Sequence, residues 1–326
     1  MVDDPQGGRP HRRGHGVTRA EFRAQVRQKR ADVERQVHAT RAQIDATNAR
    51  IEARTGRNLI LAILIGLVLG LALVGSLIFI KELFMAFAVV IVGFTAFEFV
   101  QALRHAGRNV PPIPVVIAAI SVVPAAFYWD APGQWLTLLG GIAFIALWRV
   151  VEMAWPSRRV PPADMLKDIG GGFLVQVYVV FLASFSVLLT TQPGGEWWTL
   201  AFILLVVSAD TGAYVSGLNF GKHKMAPTIS PKKTWEGFLG AVLACLIVGV
   251  LLALFMLGEP WWFGLIFGAV MVLTATFGDL AESLIKRDLG IKDMSSWLPG
   301  HGGFLDRLDS ILPSAAAAYA LYLIFA

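Results

Sequence analysis

Four clusters in the second half of the chain carry residue types suited to polyphosphate chemistry. Asp210 lies inside an apolar run, within Ser208-Ala209-Asp210-Thr211-Gly212-Ala213-Tyr214. A carboxylate there costs about 3 kcal/mol unless it is paired, coordinated or wet. A structural ion pair and a functional site both stay open on this residue alone. Residues 220–237 then place Ser230, Lys232, Lys233 and Thr234 in a loop stiffened by Pro227 and Pro231. Lysines offer point charges to phosphate, although lysines beside a span are also ordinary topology-setting charge. Thr234 stands where it could cap the next helix. Further on, Asp279, Glu282, Ser283 and Lys286 share one helical face, with Arg287 beside them. A carboxylate in that position can hold a hard cation while the lysine meets anionic oxygen nearer the helix end. A helix-end salt bridge would explain Lys286 but not the deeper Asp279. The last cluster runs from Lys292 and Asp293 through Gly300-His301-Gly302-Gly303 to Asp306, Arg307 and Asp309. Glycines beside a histidine let backbone N–H groups approach an anion. Carboxylates for Mg²⁺, basic groups for phosphate and glycines for close access together suit a metal–polyphosphate site. The chain has no Gly-x-x-x-x-Gly-Lys-Ser/Thr, which excludes a P-loop.

These clusters need elements to hold them. Hydrophobic residues make up 56% of the 326 and charged residues 16%, against about a quarter charged in soluble domains. Lipid as solvent accommodates that much apolar surface. The expected fold is all-α: a polytopic integral membrane helical bundle of about nine transmembrane helices. The apolar runs are Leu59–Phe79, Leu83–Leu103, Ile113–Trp129, Trp135–Val151, Gly170–Thr190, Trp197–Gly217, Gly237–Leu257, Trp262–Ile285 and Ser310–Ala326. The third and fourth are short and read as two tilted spans or as partly re-entrant. Alternating the loops puts Arg104, Arg108, Arg149, Arg158, Arg159, Lys167, the 222–233 lysines, Lys286, Arg287, Lys292 and Arg307 on one side, and only Lys81 on the other. The positive-inside rule makes the rich side cytoplasmic.

Residues 1–58 read as a basic cytoplasmic arm, disordered to about Gly16 and then helical to Arg57. Its thin apolar stripe (Phe22, Val26, Val33, Val37, Ile44 and Ile51) leaves a membrane-surface helix and a weak coiled coil open, and a solvated basic helix near anionic headgroups is the favoured reading. The first apolar run starts near Leu59, too late for a signal peptide. Residues 59–326 are expected to form the transmembrane domain, catalytic if the clusters act on phosphates, with the site in its C-terminal half. Glu98 reads as a snorkelling or paired interfacial residue. The lone Cys245 reads as a small buried residue.

The stretch from Ser283 to Asp309, SLIKRDLGIKDMSSWLPGHGGFLDRLD, resembles the signature of phosphatidate cytidylyltransferases, also called CDP-diacylglycerol synthases. The DTGAY at Asp210–Tyr214 and the FGKHKMAPTISPKKTWEG segment at 220–237 are typical of the same family. The resemblance covers about residues 60–326 and leaves the arm outside. It implies that CTP and phosphatidic acid give CDP-diacylglycerol and pyrophosphate. It also implies Mg²⁺, with or without a second cation, a homodimer among membrane lipids, and a site facing the cytoplasm from the cytoplasmic membrane of a prokaryote. No nucleic-acid partner is expected. The expected catalytic residues are Asp210, Lys233, Lys286, Arg287 and His301. Substrate binding is expected at Ser230, Lys232, Lys233, Thr234, Lys292, Gly302, Gly303 and Arg307, and metal binding at Asp279, Asp306 and Asp309.

Phosphatidate is already anionic near neutral pH, so the difficulty is anion–anion repulsion rather than deprotonation. Two aspartates on successive helices joined by one loop can share a Mg²⁺. A salt-bridge reading would instead require a basic partner for each. Two other classes remain: a CTP-dependent lipid kinase of polyprenol type, which would release CDP, and an ion-coupled transporter. The transporter would place its sites near the midplane between inverted repeats, and no such repeat is visible.

Overall fold

The computed structural model describes residues 59–295, 297 and 302–326. The arm over 1–58 and His301 lie outside the described residues. Eight helical elements follow in order: α1 Leu59–Phe79, α2 Lys81–His105, α3 Pro112–Glu152, α4 Pro162–Thr191, α5 Gly195–Phe220, α6 Trp235–Leu257, α7 Trp261–Asp288 and α8 Leu305–Phe325. Prolines start α3 and α4, where a missing N–H leaves no helical bond unmade. Seven of these helices, α2 to α8, are long and apolar enough to cross a membrane. Helices keep every backbone polar group satisfied internally, as a bilayer demands. One element departs from the all-α expectation: strands β1 Lys224–Ala226 and β2 Ser230–Thr234 pair antiparallel.

The α3 element has 41 residues, which would reach about 60 Å if straight, twice the hydrocarbon core. It is not straight. Asp130 has φ 53 and ψ −152, between Pro124 and Pro132. A Cβ on Gly141 would lie 2.9 Å from the Ala118 Cβ, although a straight helix would hold the two residues about 35 Å apart. The element therefore doubles back at Asp130, and the expected short segments Ile113–Trp129 and Trp135–Val151 are its two legs. The expected nine spans are not matched one for one, since length and apolarity select seven helices among the described residues.

Packing forms two cores. Phe84, Phe99, Val122 and Val179 belong to one, built mainly from α2, α3 and α4. Trp198, Phe202, Phe263, Phe267 and Met271 belong to the other, built from α5 to α8. Cys245 is fully buried in the second core, as its apolar setting predicted.

The connections alternate between the two ends of the bundle. At one end Lys81 pairs with Glu196 at 2.9 Å, and the Tyr322 hydroxyl donates to the Pro193 carbonyl at 3.0 Å. At the other end Asp168 accepts from the Asn109 N–H at 2.7 Å and pairs with Arg149 at 2.8 Å. Arg149 also pairs with Glu152 at 3.3 Å, and Arg158 adds a second cation to the same carboxylate. Arg149 is 0% exposed, so this expected loop charge is a buried tie between α3 and α4. The motif-bearing segments stand at the same end.

Candidate active site

The site is built where α7 and α8 nearly touch. A Cβ on Gly278 would strike the Asp309 carbonyl, so only glycine permits this approach. The contact sets Asp279 beside Asp309. Around them lies a cavity of about 490 Å³. Asp210 reaches it from α5, Ser230, Lys232, Lys233 and Thr234 from β2, Asp279 and Lys286 from α7, and Asp306, Arg307 and Asp309 from α8. Thus segments far apart in sequence meet, as the clustering of their chemistry suggested. Arg287, Lys292, Gly302 and Gly303 are not among the lining residues.

Several lining residues had been given no role: Tyr214, Thr276, Asp293 and Ser310. Helical spacing carried the signal for two of them. Tyr214 stands one turn beyond Asp210, and Thr276 one turn before Asp279. Asp293 and Ser310 directly follow the residues that were singled out.

Local chemistry fixes the lysine strand. Thr234 caps α6 by accepting from the Gly237 N–H at 3.1 Å, as predicted. Glu236, in the first turn of α6, accepts from the Lys222 N–H at 3.1 Å and meets His223 Nδ1 at 2.5 Å. The far end of the hairpin is held by Arg287, whose Nε donates to the Ile229 carbonyl at 3.3 Å, while its Nη1 donates to the Ile291 carbonyl at 3.3 Å. In this structure Arg287 is a tether outside the cavity.

The cavity's ion pairs are of two kinds. Lys233 Nζ lies 2.7 Å from Asp279 Oδ2, with side chains 22% and 33% exposed. Lys286 Nζ lies 2.5 Å from Glu282 and 2.7 Å from Asp306, in a group only 12%, 1% and 7% exposed. The other Asp306 oxygen accepts from the Gly303 N–H at 2.8 Å and the Met294 N–H at 3.1 Å. Two of the three expected metal aspartates, Asp279 and Asp306, therefore have a lysine partner, the condition that the salt-bridge reading required. For Asp306 that reading describes the geometry well, because its oxygens are committed to Lys286 and to the loop. The Asp279 pair is more open and faces the cavity.

Among the described residues no three His, Cys, Asp or Glu side chains converge into a closed metal cage. Mg²⁺ does not need one, because it takes one or two carboxylates and completes its octahedron with water and phosphate oxygens. Asp210, Asp279 and Asp309 present hard oxygen donors to a single cavity, so the donor set fits such an ion.

Of the two readings of Glu98, snorkelling is excluded, because it is 1% exposed. It is a paired residue: its carboxylate accepts from the Ser295 hydroxyl and from the Leu305 N–H at the start of α8.

The arrangement has the parts for transfer between phosphates: cations and carboxylates interleaved around one cavity at the ends of apolar helices. Comparison with known proteins agrees. A phosphatidate cytidylyltransferase of Mycobacterium bovis is 38% identical over 272 residues, covering 82% of this chain and 89% of that protein. The protein of that name from Mycobacterium leprae is 37% identical over 276 residues, covering 82% and 88%. One from Brucella suis is 40% identical over 195 residues, covering 60% and 68%. The sequence pattern of the cytidylyltransferase family matches residues 60–325, and the chain belongs to that family.

Proposed function

We propose that the chain transfers the cytidylyl group of CTP to phosphatidic acid, giving CDP-diacylglycerol and pyrophosphate for phospholipid biosynthesis. The observation that carries this reading is the cavity itself, which opens between apolar helices and brings lysines and aspartates together in one space. A lipid phosphate at the bilayer surface and a soluble triphosphate can meet there.

In the proposed reaction a non-bridging phosphatidate oxygen attacks the α-phosphorus of CTP. The bond from that phosphorus to the α–β bridging oxygen breaks, and pyrophosphate leaves with the electron pair. No general base is required, because the attacking oxygen is already anionic. Lys232, Lys233 and Arg307 draw the two anions together and offset their repulsion. Lys286, held between Glu282 and Asp306, fixes the α7–α8 corner. Mg²⁺ held by Asp279 and Asp309, with Asp210 near, would neutralise triphosphate charge as it builds on the leaving group.

The one-sided Lys/Arg distribution supports placing the cavity on the cytoplasmic face of a bacterial membrane; a homodimer is what the family resemblance alone implies. The test uses purified protein in lipid nanodiscs, Mg²⁺ and phosphatidic acid, with CTP labelled at either the α- or the γ-phosphate. Label from α-phosphate should enter the lipid with release of pyrophosphate. Label entering only from γ-phosphate, with CDP released, would instead establish a lipid kinase.

A further inference from the structure

Outside the cavity, the most unusual buried group is Glu98 on α2. It is 1% exposed and belongs to a helix that contributes no lining residue to the cavity. Its Oε2 accepts from the Leu305 N–H at 2.9 Å, at the start of α8. That N–H belongs to the first helical turn, where no intrahelical partner exists. Its Oε1 accepts from the Ser295 hydroxyl on the other limb of the same loop. A Cβ on Gly303 would strike the Glu98 carboxylate.

Two aromatic contacts from the same face of α2 reinforce this grip. Phe94 stacks on Phe304 with centroids 5.4 Å apart and planes 12° off parallel. Phe97 stacks on Trp297 at 5.6 Å and 26°. Residues 94, 97 and 98 stand at i, i+3 and i+4, so they form one helical patch. That patch touches both limbs of the loop that delivers Asp306 to the cavity wall.

We propose that Glu98 is a positioning residue: it clamps both limbs of the glycine-rich loop between α7 and α8 and thereby fixes the cavity wall from a helix that does not line it. The physical case rests on burial. A carboxylate removed from water is costly unless its oxygens accept hydrogen bonds. The described donors to Glu98 come from the loop, so loop displacement would strip a buried charge of its partners. The loop and α2 are therefore coupled more strongly than two surface hydrogen bonds would make them. The kinetic part of the proposal rests on the cytidylyltransferase reading above, whereas the structural part does not.

The test compares wild type with Glu98→Ala, Glu98→Gln, Gly303→Ala and Ser295→Ala in nanodiscs, by steady-state kinetics and by amide hydrogen exchange of residues 294–305. Glu98→Ala should lower kcat by about 10- to 100-fold, as expected for misplacement of reacting groups, with a smaller change in the KM for CTP. Exchange of the loop should rise at least about tenfold while α5 and α6 stay protected. Glu98→Gln should remain within about threefold of wild type, since a glutamine oxygen can accept from Leu305 and its amide can donate to Ser295. Gly303→Ala should resemble Glu98→Ala, and the double variant should be no worse than either, because removing the carboxylate makes room for the methyl group.

Unchanged loop exchange in Glu98→Ala overturns the proposal whatever the activity, as does a Glu98→Gln variant as poor as Glu98→Ala. If Glu98→Ala does not accumulate in membranes, Ser295→Ala decides. It should raise loop exchange and lower kcat about threefold, and wild-type values for both would refute the clamp. Wild-type protein that cytidylylates no lipid would sink the proposed function and leave the exchange measurement to judge the clamp alone.

Discussion

The two halves of the bundle treat buried charge in opposite ways. In the first half, Arg149 is enclosed between Asp168 at 2.8 Å and Glu152 at 3.3 Å, and Arg158 completes the group. Those charges are paired with one another and line no part of the cavity in the second half. In the second half, five aspartates and four basic residues line one cavity. The Lys233–Asp279 pair there is partly open, with side chains 22% and 33% exposed. A closed network fixes helices, because any replacement partner must first enter a protein interior. An open pair can exchange its partner for a cation or a phosphate at small cost, because water and solutes already reach it. The same residue types thus serve as scaffold in one half and as a reactive surface in the other.

Removing charge from the open half should have the largest effect. Asp279→Asn keeps the shape of the side chain and deletes its charge, and we expect at least a ~100-fold loss of kcat with an unchanged thermal melt in detergent. Chelation should abolish turnover in the wild type, and added Mg²⁺ should restore it. Near-normal turnover of Asp279→Asn at low Mg²⁺ would show that the open pair is only a salt bridge.

Lys286→Ala tests a closed group inside the second half. It strands Glu282 and Asp306, 1% and 7% exposed, so about 3 kcal/mol or more of stability should be lost. A variant that melts like wild type yet fails to use CTP would return Lys286 to direct phosphate contact. Arg149→Met makes the matching test in the first half. It should cost a similar amount of stability while turnover per folded molecule stays near wild type. A fall in that specific activity would erase the distinction between the halves.

How much of this was legible in the sequence follows from the same contrast. The apolar runs and the four clusters were readable because lipid burial demands long apolar segments and phosphate chemistry demands particular side chains. Thr234 as a helix cap was readable because capping is local. The break in α3 was readable as two short apolar runs, but the close packing of its legs was not, since Pro124, Asp130 and Pro132 suggest a break but not its angle. The role of Glu98 was hidden for another reason. Its partners lie about 200 residues away, and nothing in the local pattern of α2 separates a clamp from a snorkelling acid. Arg287 shows the converse case: it was expected among the reacting residues, while in the structure its guanidinium turns out to the hairpin.

Lys233→Ala should raise the KM for CTP about tenfold, the loss of one charge-assisted contact, with the protein fully folded. A wild-type KM would reduce the β2 lysines to topology-setting charge.

Arg287→Ala should have the smallest effect, and it tests whether membership of the site is defined by the cavity or by the motif. The guanidinium spans the Ile229 and Ile291 carbonyls at 3.3 Å each. These are long, exposed contacts, and water can replace both of them. The hairpin also keeps its anchor at Glu236 and its strand pairing. Loss of the tether should therefore loosen Lys232 and Lys233 without removing them. We expect about a two- to threefold rise in the KM for CTP, an unchanged kcat and an unchanged melt. Lysine at this position should rescue little, because one ammonium cannot span two carbonyls as a planar fork does. A loss of kcat beyond about tenfold would mean that Arg287 turns into the cavity when substrate binds, and the boundary between tether and reacting surface would have to be redrawn to include it.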